Sequence, residues 1–411
     1  MATQSAKPLV VIIGGGFGGL EAAYDLRKRL PHEVDITLIS NSDYFLFKPN
    51  MIYIPFGLDP HSLKVDLQGP ARRKDITFVG ATAQEINPEA RIVTVNGYRQ
   101  RYDYLIVATG AATRAVEIPG LDEYAQTIWT SEAMLQLRSS LNRLLEKVKS
   151  GKPQSILFLL PPKNQCPAPL YEMAFVVETW LRRNNIRERV ELHWSTHEQN
   201  YLEALGPNLH DVVLNEFNRR GIQHHSQYAV EHVSAGGVRY RNGISQSYDL
   251  LIASPPHVAA AAFPGLPSDE RGFLATDPVS RQVLDYPNIY AAGDAGDYPL
   301  KQAFLALRQA DAITEHLHAT IAEREPAFGF EPVSHYVLEQ VDTATYVRVP
   351  LEQPDRKQRF KSGTSPLWRM GKRMIGTYLP WRFSEGEPVH GDLPWRGLET
   401  GMKLMSDLFA R

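Results

Sequence analysis

Leu9 to Ile13 is an unbroken apolar, mostly β-branched run, the pattern of a strand covered on both faces. Gly14-Gly15-Gly16-Phe17-Gly18-Gly19 follows, and then Leu20 to Leu30 sets Leu20, Ala23, Tyr24 and Leu26 along one side of a helix. Val34 to Ile39 repeats the buried-strand pattern, so a glycine-rich turn sits where strand becomes helix inside a β-α-β unit. Tyr102 to Gly110 and Asn288 to Asp294 are two further buried strands ending in small-residue turns, and Ala303 to Ala322 reads as a helix. In the middle of the chain Ser155 to Leu160 and Val190 to Trp194 read as strands, and Met173 to Arg183 and Leu209 to Gly221 as helices. The alternation predicts an α/β protein of two interleaved Rossmann-like domains. Residues 1–115 and 270–330 would form the first, 116–269 the second, and 331–411 a C-terminal extension.

The turn after the first strand carries a G-x-G-x-x-G spacing with a mechanism at each position. Gly14 permits the tight turn, Gly16 lets backbone approach a pyrophosphate, and Gly19 lets helix and strand pack closely. The helix start offers free N–H groups and the positive end of its dipole to phosphates. Ser40 closes the second strand where an acidic residue is usual; its hydroxyl still donates and accepts, and Asp43 is a substitute of lesser promise. Asp294 falls at a strand's carboxyl end, where open α/β sheets bind ligands.

Composition narrows the class. The 411 residues are 43% hydrophobic and 22% charged, as in ordinary globular proteins, and suffice for two to three domains of about 150 residues. Forty-four Lys and Arg against 46 Asp and Glu leave a net charge of −2, so no nucleic-acid partner is expected. The single cysteine, Cys166, excludes an intrachain disulfide and a two-cysteine redox centre. No apolar leader precedes the first strand, and no run approaches the roughly 20 apolar residues of a membrane span, so a cytoplasmic location is expected. His224-His225 and Glu315-His316-Leu317-His318 lack a convincing ligand set, and no metal site is expected.

The glycines after the first strand, Ala-Thr-Gly at 108–110 and Ala-Gly-Asp at 292–294 resemble the FAD-dependent pyridine nucleotide–disulfide oxidoreductase superfamily, over residues 9 to about 325. The resemblance implies FAD along Gly14, Gly16, Phe17, Gly19, Ser40 and Asn41, with Lys48, Ala83, Thr109, Gly110, Gly293, Asp294 and Lys301 completing the cofactor site. Superfamily members that use NADH carry a second glycine fingerprint. Here the strand at 155–160 runs into Pro161-Pro162-Lys163-Asn164-Gln165-Cys166-Pro167-Ala168-Pro169-Leu170-Tyr171-Glu172, which has no glycine. Prolines remove N–H donors and cannot build a phosphate nest, so no second nucleotide site is expected.

That segment is similar to the sulfide:quinone oxidoreductase and flavocytochrome c sulfide dehydrogenase group. The shared marks are the cysteine after the strand, Pro-Leu-Tyr-Glu at 169–172 and the loop Asn41 to Pro49. The resemblance implies that Cys166 attacks or carries sulfane sulfur, that Glu172 handles protons, and that Lys301 sits near the flavin ring. Position at a helix start would also favour the Cys166 thiolate. The group's second redox cysteine, expected a few residues before an Asp-x-Gly-like turn, is missing from Tyr336 to Ala344, and Glu339 is expected in its place.

From Arg356 to Ser384 there are eight basic residues and no acidic one, interleaved with Phe360, Trp368, Met370, Met374, Ile375, Tyr378, Leu379, Trp381 and Phe383. Leu398, Met402, Met405, Leu408 and Phe409 follow at helical spacing. Basic, aromatic and amphipathic character suits an anionic membrane interface, and the group uses this region for attachment and quinone entry. The expected activity is an FAD-dependent transfer of electrons from sulfide, or a related sulfur donor, to membrane quinone. NADH:quinone oxidoreduction and a flavin-binding scaffold or sensor without turnover are the alternatives, and homo-oligomerisation is left open.

Overall fold

The computed structural model describes residues 7–206, 208–351 and 361–389. The strands that build its two main sheets are β1 (Leu9–Ile13), β2 (Asp35–Ser40), β3 (Ile76–Gly80), β4 (Tyr104–Val107), β5 (Ala125–Thr127), β6 (Gln154–Leu160), β7 (Val190–Thr196), β8 (Gln223–His225), β9 (Leu250–Ala253) and β10 (Ile289–Ala291). The helices packed around them are α1 (Phe17–Arg29), α2 (Ser131–Lys149), α3 (Ala168–Arg183), α4 (Asn208–Arg220) and α5 (Ala303–Ile321). Three antiparallel strands, β11 (Val333–Glu339), β12 (Ala344–Pro350) and β13 (Lys361–Ser365), lead into the last helix, α6 (Pro366–Ser384).

The first sheet has the order β10-β4-β1-β2-β3 and the second β5-β9-β6-β7-β8, with every neighbouring pair parallel. Parallel strands bury both faces, which is why β1 and β6 read as continuous apolar runs; Val10, Val11, Ile12, Ile156 and Phe158 are fully buried. The two sheets share one winding. β1 and β6 are central, the next two strands in the chain lie to one side of each, and the order reverses between β1 and β4 and between β6 and β9. Such reversals open a crevice at the strands' carboxyl ends.

Helix α3 begins at Ala168, five residues before the apolar periodicity announces it. Pro167 and Pro169 are tolerated because the first turn of a helix has no partner for its N–H groups. Helix α6 is amphipathic and packs on the body rather than standing off it. Trp368 stacks on Tyr346 of β12 at 4.5 Å, and Phe383 meets Phe45 edge-on at 5.2 Å. No helix among the described residues is long and apolar enough to cross a membrane.

Candidate active site

The two reversals have different fates. At the first, Gly14 closes β1 at φ +116°, and a Cβ there would stand 2.2 Å from the carbonyl oxygen of Ala108. Glycine is therefore obligatory at the turn. A Cβ on Gly19 would lie 1.9 Å from the Gly14 oxygen, so this residue packs α1 against the turn and does not face the ligand space. Gly16, by contrast, has nothing within 4 Å of a Cβ position; it is the N-cap of α1, and no side chain caps it. The open backbone and uncapped N–H groups lead into a cavity of about 680 Å³.

The cavity wall gathers nearly every residue expected from the sequence. Gly14, Gly16, Phe17, Ser40, Asn41, Lys48, Ala83, Thr109, Gly110, Gly293 and Asp294 line it, as do Cys166, Glu172 and Lys301. Gly19 supports it from behind. Asp43 is off the wall, so it cannot stand in for Ser40. Thr109 holds a buried hydroxyl with no partner. Burial pushes the Asp294 carboxyl above its ordinary range, against the pull of Lys301 and Lys48.

Lys301 is 2% exposed. Its ammonium donates to the Gly296 carbonyl at 2.6 Å and lies 3.7 Å over the Phe273 ring. Burial lowers its pKa to about 8. The Lys48 ammonium stands 4.4 Å over Trp129. Its exposed surface belongs to the cavity rather than to bulk solvent, and desolvation lowers its pKa too.

At the second reversal the chain fills its own crevice. The loop after β6 sends the Asn164 amide nitrogen to the Ser254 carbonyl, the Ser254 hydroxyl and the Pro255 carbonyl, at 2.9, 2.8 and 2.9 Å. The Asn164 side-chain oxygen accepts from Cys166 N at 2.9 Å. Gln165 N donates to His257 Nδ1 at 3.1 Å, and Lys301 N donates to the Gln165 oxygen at 2.8 Å. The loop that carries Cys166 is thus pinned to the residues after β9 and to the segment after β10.

Cys166 precedes the α3 N-cap, Pro167, and opens onto the first cavity. The expectation of a lowered thiol pKa is overturned. Burial pushes it up to about 12, Asp294 adds to the rise, and Lys48 offsets only part. Two proline rings at the start of α3 also leave few N–H dipoles to help.

Glu339 does not take the place expected for it. Its carboxylate is 1% exposed and turned from the cavity, accepting from Tyr53 Oη at 2.8 Å, Val341 N at 2.7 Å and Arg369 Nε at 3.2 Å. Three residues of β11, His335, Tyr336 and Val337, line the cavity instead. Val341, in the turn that follows, takes φ +76°.

Glu172 is 2% exposed and accepts from Glu339 N at 2.8 Å and from Lys372 Nζ. Burial raises its pKa, and Lys372 opposes the rise. Lys372, Arg369 and Arg382 of the basic stretch therefore point inward, to Glu172, Glu339 and Glu387. Only Arg373 among the basic residues of α6 is exposed. Arg356, Lys357, Arg359 and the amphipathic segment 398–409 lie outside the described residues, and no metal-binding group occurs among those described. Tyr336, Lys372, Trp129, Asn164 and His257 are the site residues that sequence reading missed.

Two parallel sheets around a glycine-walled dinucleotide cavity define the class of an α/β flavoprotein oxidoreductase. Residues 8–149 match the pyridine nucleotide-disulphide oxidoreductase family. The sulfide-quinone reductase of Aquifex aeolicus is 30% identical over 306 residues, 69% of this chain and 67% of that protein. The mitochondrial sulfide:quinone oxidoreductase of Dictyostelium discoideum is 24% identical over 313 residues, 72% and 67% of the two chains. The solved Aquifex aeolicus sulfide:quinone oxidoreductase superposes with a TM-score of 0.88 at 23% identity, over 97% of this chain and 96% of that one. The chain belongs to the sulfide:quinone oxidoreductase group of the FAD-dependent pyridine nucleotide–disulfide oxidoreductases. It is an FAD-dependent oxidoreductase.

Proposed function

We propose that this flavoenzyme oxidises sulfide, or a related sulfur donor, at Cys166 and reduces a membrane quinone. One observation carries the reading: the single cysteine of the chain opens onto the glycine-walled cavity.

The open Gly16 cradle, the uncapped start of α1 and the unpartnered Thr109 hydroxyl fit FAD. Gly14, Gly16 and Phe17 would hold its pyrophosphate at the helix dipole, Ser40, Asn41 and Ala83 its adenosine end, and Lys48, Thr109, Gly110, Gly293, Asp294 and Lys301 its ribityl and ring end. Bound there, the flavin supplies a two-electron acceptor that keeps sulfur oxidation apart from quinone reduction. Cys166 bonds the incoming sulfur. Its S–H bond and one S–H bond of hydrogen sulfide break, an S–S bond forms, two protons leave, and two electrons go on to the quinone. Glu172, whose pKa burial raises, is the cavity carboxylate placed to take up a proton. A second nucleophile, sulfide or another small thiol, then removes the outer sulfur and restores the thiol.

Helix α6 joins the cavity to the outside. Lys372, Ile375, Gly376 and Leu379 line the cavity, while Leu367, Met370, Met374 and Trp381 are 46, 56, 55 and 52% exposed. An exposed apolar stripe over an inner cavity suits peripheral attachment to a bilayer, with quinone entering beside α6. With most α6 cations turned inward, apolar contact dominates the attachment.

Anaerobic mixing with sulfide, while flavin absorbance is followed, tests the reading. Sulfide should bleach the flavin, a quinone should restore it, and Cys166→Ser should remove the bleaching. Bleaching by NADH and not by sulfide overturns it.

A further inference from the structure

The loop after β6 carries Cys166 and is short of backbone donors. Pro161, Pro162 and Pro167 supply no N–H, and the pairing of β6 with β9 ends at Leu159 and Ala253. The residue just before the cysteine is held instead by a side chain from elsewhere, His257.

His257 opens a short strand, His257–Ala259, that runs antiparallel to Ala111–Thr113. Its backbone is fixed twice more. Its N–H donates to the Lys163 oxygen at 3.0 Å, and its own oxygen accepts from Arg271 Nε, whose guanidinium forks onto Glu117 at 3.1 and 3.1 Å. From this rigid edge the ring accepts, at Nδ1, from Gln165 N at 3.1 Å. The Gln165 oxygen accepts from Lys301 N at 2.8 Å, and Lys301 lines the cavity. The residue before Cys166 is thus clamped at both backbone atoms, by His257 at its nitrogen and by the cofactor wall at its oxygen.

The ring has no other polar duty. It is fully buried, and its Nε2 has no hydrogen-bond partner among the described residues. Trp129, on the cavity wall, meets it edge-to-face at 4.4 Å. A buried donor without a partner is a cost, and a leucine would fill the same space without it. What histidine supplies and leucine cannot is the acceptor at Nδ1.

We propose that His257 is the positioning residue for Cys166: its neutral ring, protonated at Nε2, holds the loop of the thiol at the cavity by accepting from Gln165 N. The inference rests on Cys166 being the sulfur-handling residue. An Nδ1 that accepts leaves the ring proton on Nε2, and a second proton would abolish the bond. Burial, with Lys301, Lys48 and Arg271 close by, pushes the pKa down to about 3, so the ring stays an acceptor through the neutral range.

His257 is not on the cavity wall, so it makes and breaks no bond in the reaction. It governs where Cys166 stands. Displacing a reacting atom by about 1 Å can cost about a hundredfold in rate. Loss of the bond should therefore slow the sulfur half of the reaction and spare the quinone half.

Three variants separate positioning from packing. Asparagine sets its amide oxygen where Nδ1 stands, glutamine reaches to where Nε2 stands, and leucine fills the space with no acceptor. Hydrogen exchange at the Gln165 amide, resolved by fragmentation mass spectrometry on the flavin-loaded protein, reads the bond without sulfide. Exchange should be slow in wild type, faster by about tenfold or more in His257→Leu and His257→Gln, and slow again in His257→Asn. Exchange in His257→Leu as slow as in wild type overturns the inference, and so does rescue by glutamine and not by asparagine. His257→Gln carries the comparison if the leucine variant fails to take up flavin.

Stopped-flow mixing tests the consequence. His257→Leu should lose about tenfold in the rate of flavin reduction by sulfide, and His257→Asn should regain it, while quinone reoxidises the chemically reduced variants at the wild-type rate. Equal losses in the two half-reactions mark a general packing defect and overturn the inference. If sulfide fails to bleach even the wild type, the proposed function falls, and the exchange experiment still decides whether His257 holds the loop.

Discussion

Replacing Lys372 by methionine should destabilise the protein in a strongly pH-dependent way. The substitution keeps length and apolar stem but removes the ammonium that pairs with Glu172. The pair is closed off from solvent, with side chains 15% and 3% exposed, so screening does little to weaken it. An ionised Glu172 left unpaired would cost about 3–5 kcal/mol. The carboxyl can escape that cost by keeping its proton, and its pKa already lies above the ordinary value through burial.

Escape has its own cost, because the unfolded chain ionises near pH 4.3. Holding a proton at pH 7 costs about 1.4 kcal/mol for each pH unit above that value, close to 4 kcal/mol in all, and at pH 5 only about 1 kcal/mol. A folded pKa above the unfolded one gives a contribution that is lost as pH rises. The destabilisation by Lys372→Met should therefore shrink from at most about 3–4 kcal/mol at pH 7 to at most about 1 kcal/mol at pH 5, less whatever the raised pKa already costs the wild type. Denaturant unfolding of the flavin-loaded wild type and variant at the two pH values measures it. A difference that is the same at both pH values, or below about 1 kcal/mol at pH 7, refutes the buried pairing.

Three further outcomes follow from the site. Gly19→Ala should empty the protein of flavin, read as the flavin-to-protein absorbance ratio, because its Cβ would meet the Gly14 carbonyl oxygen at 1.9 Å; the clash costs about 1–3 kcal/mol or more. Asn164→Ala should leave two buried acceptors just after β9 and the Cys166 N–H without partners, cost about 1–3 kcal/mol in denaturant unfolding, and slow reduction by sulfide without conferring reduction by NADH. Met370→Ser, Met374→Ser and Trp381→Ser together should abolish flotation with neutral liposomes while leaving sulfide reduction of the flavin intact; flotation equal to wild type places the membrane contact elsewhere.

The dinucleotide turn was legible because everything that specifies it is local. Gly14, Gly16 and Gly19 lie within six residues, and the backbone at Gly14 and Gly19 leaves no room for a Cβ. Cys166 was legible for a similar reason, as a lone thiol at the end of a buried strand. Its electrostatics were not. A helix start suggested a thiolate, but prolines and burial reversed the sign, and burial is a property of the packed molecule. Spacing alone did not show that Glu339 turns away from the cavity, because the side chains that hold its carboxylate, Tyr53 and Arg369, lie far off in the chain.

The sequence by itself determined the two parallel sheets, the glycine turn, the absence of a second glycine fingerprint and the single thiol, because strand burial, turn geometry and residue chemistry are written in short windows. Only the tertiary structure decided what surrounds that thiol. Glu172 meets Lys372 across 200 positions of chain, and Tyr336 joins the same cavity wall from a strand near the other end of the protein. The basic run that reads as a solvated, membrane-seeking surface turns Lys372 and Arg369 inward to neutralise buried carboxylates. Charge pairing inside a cavity depends on distances between elements, and no short window of sequence contains them.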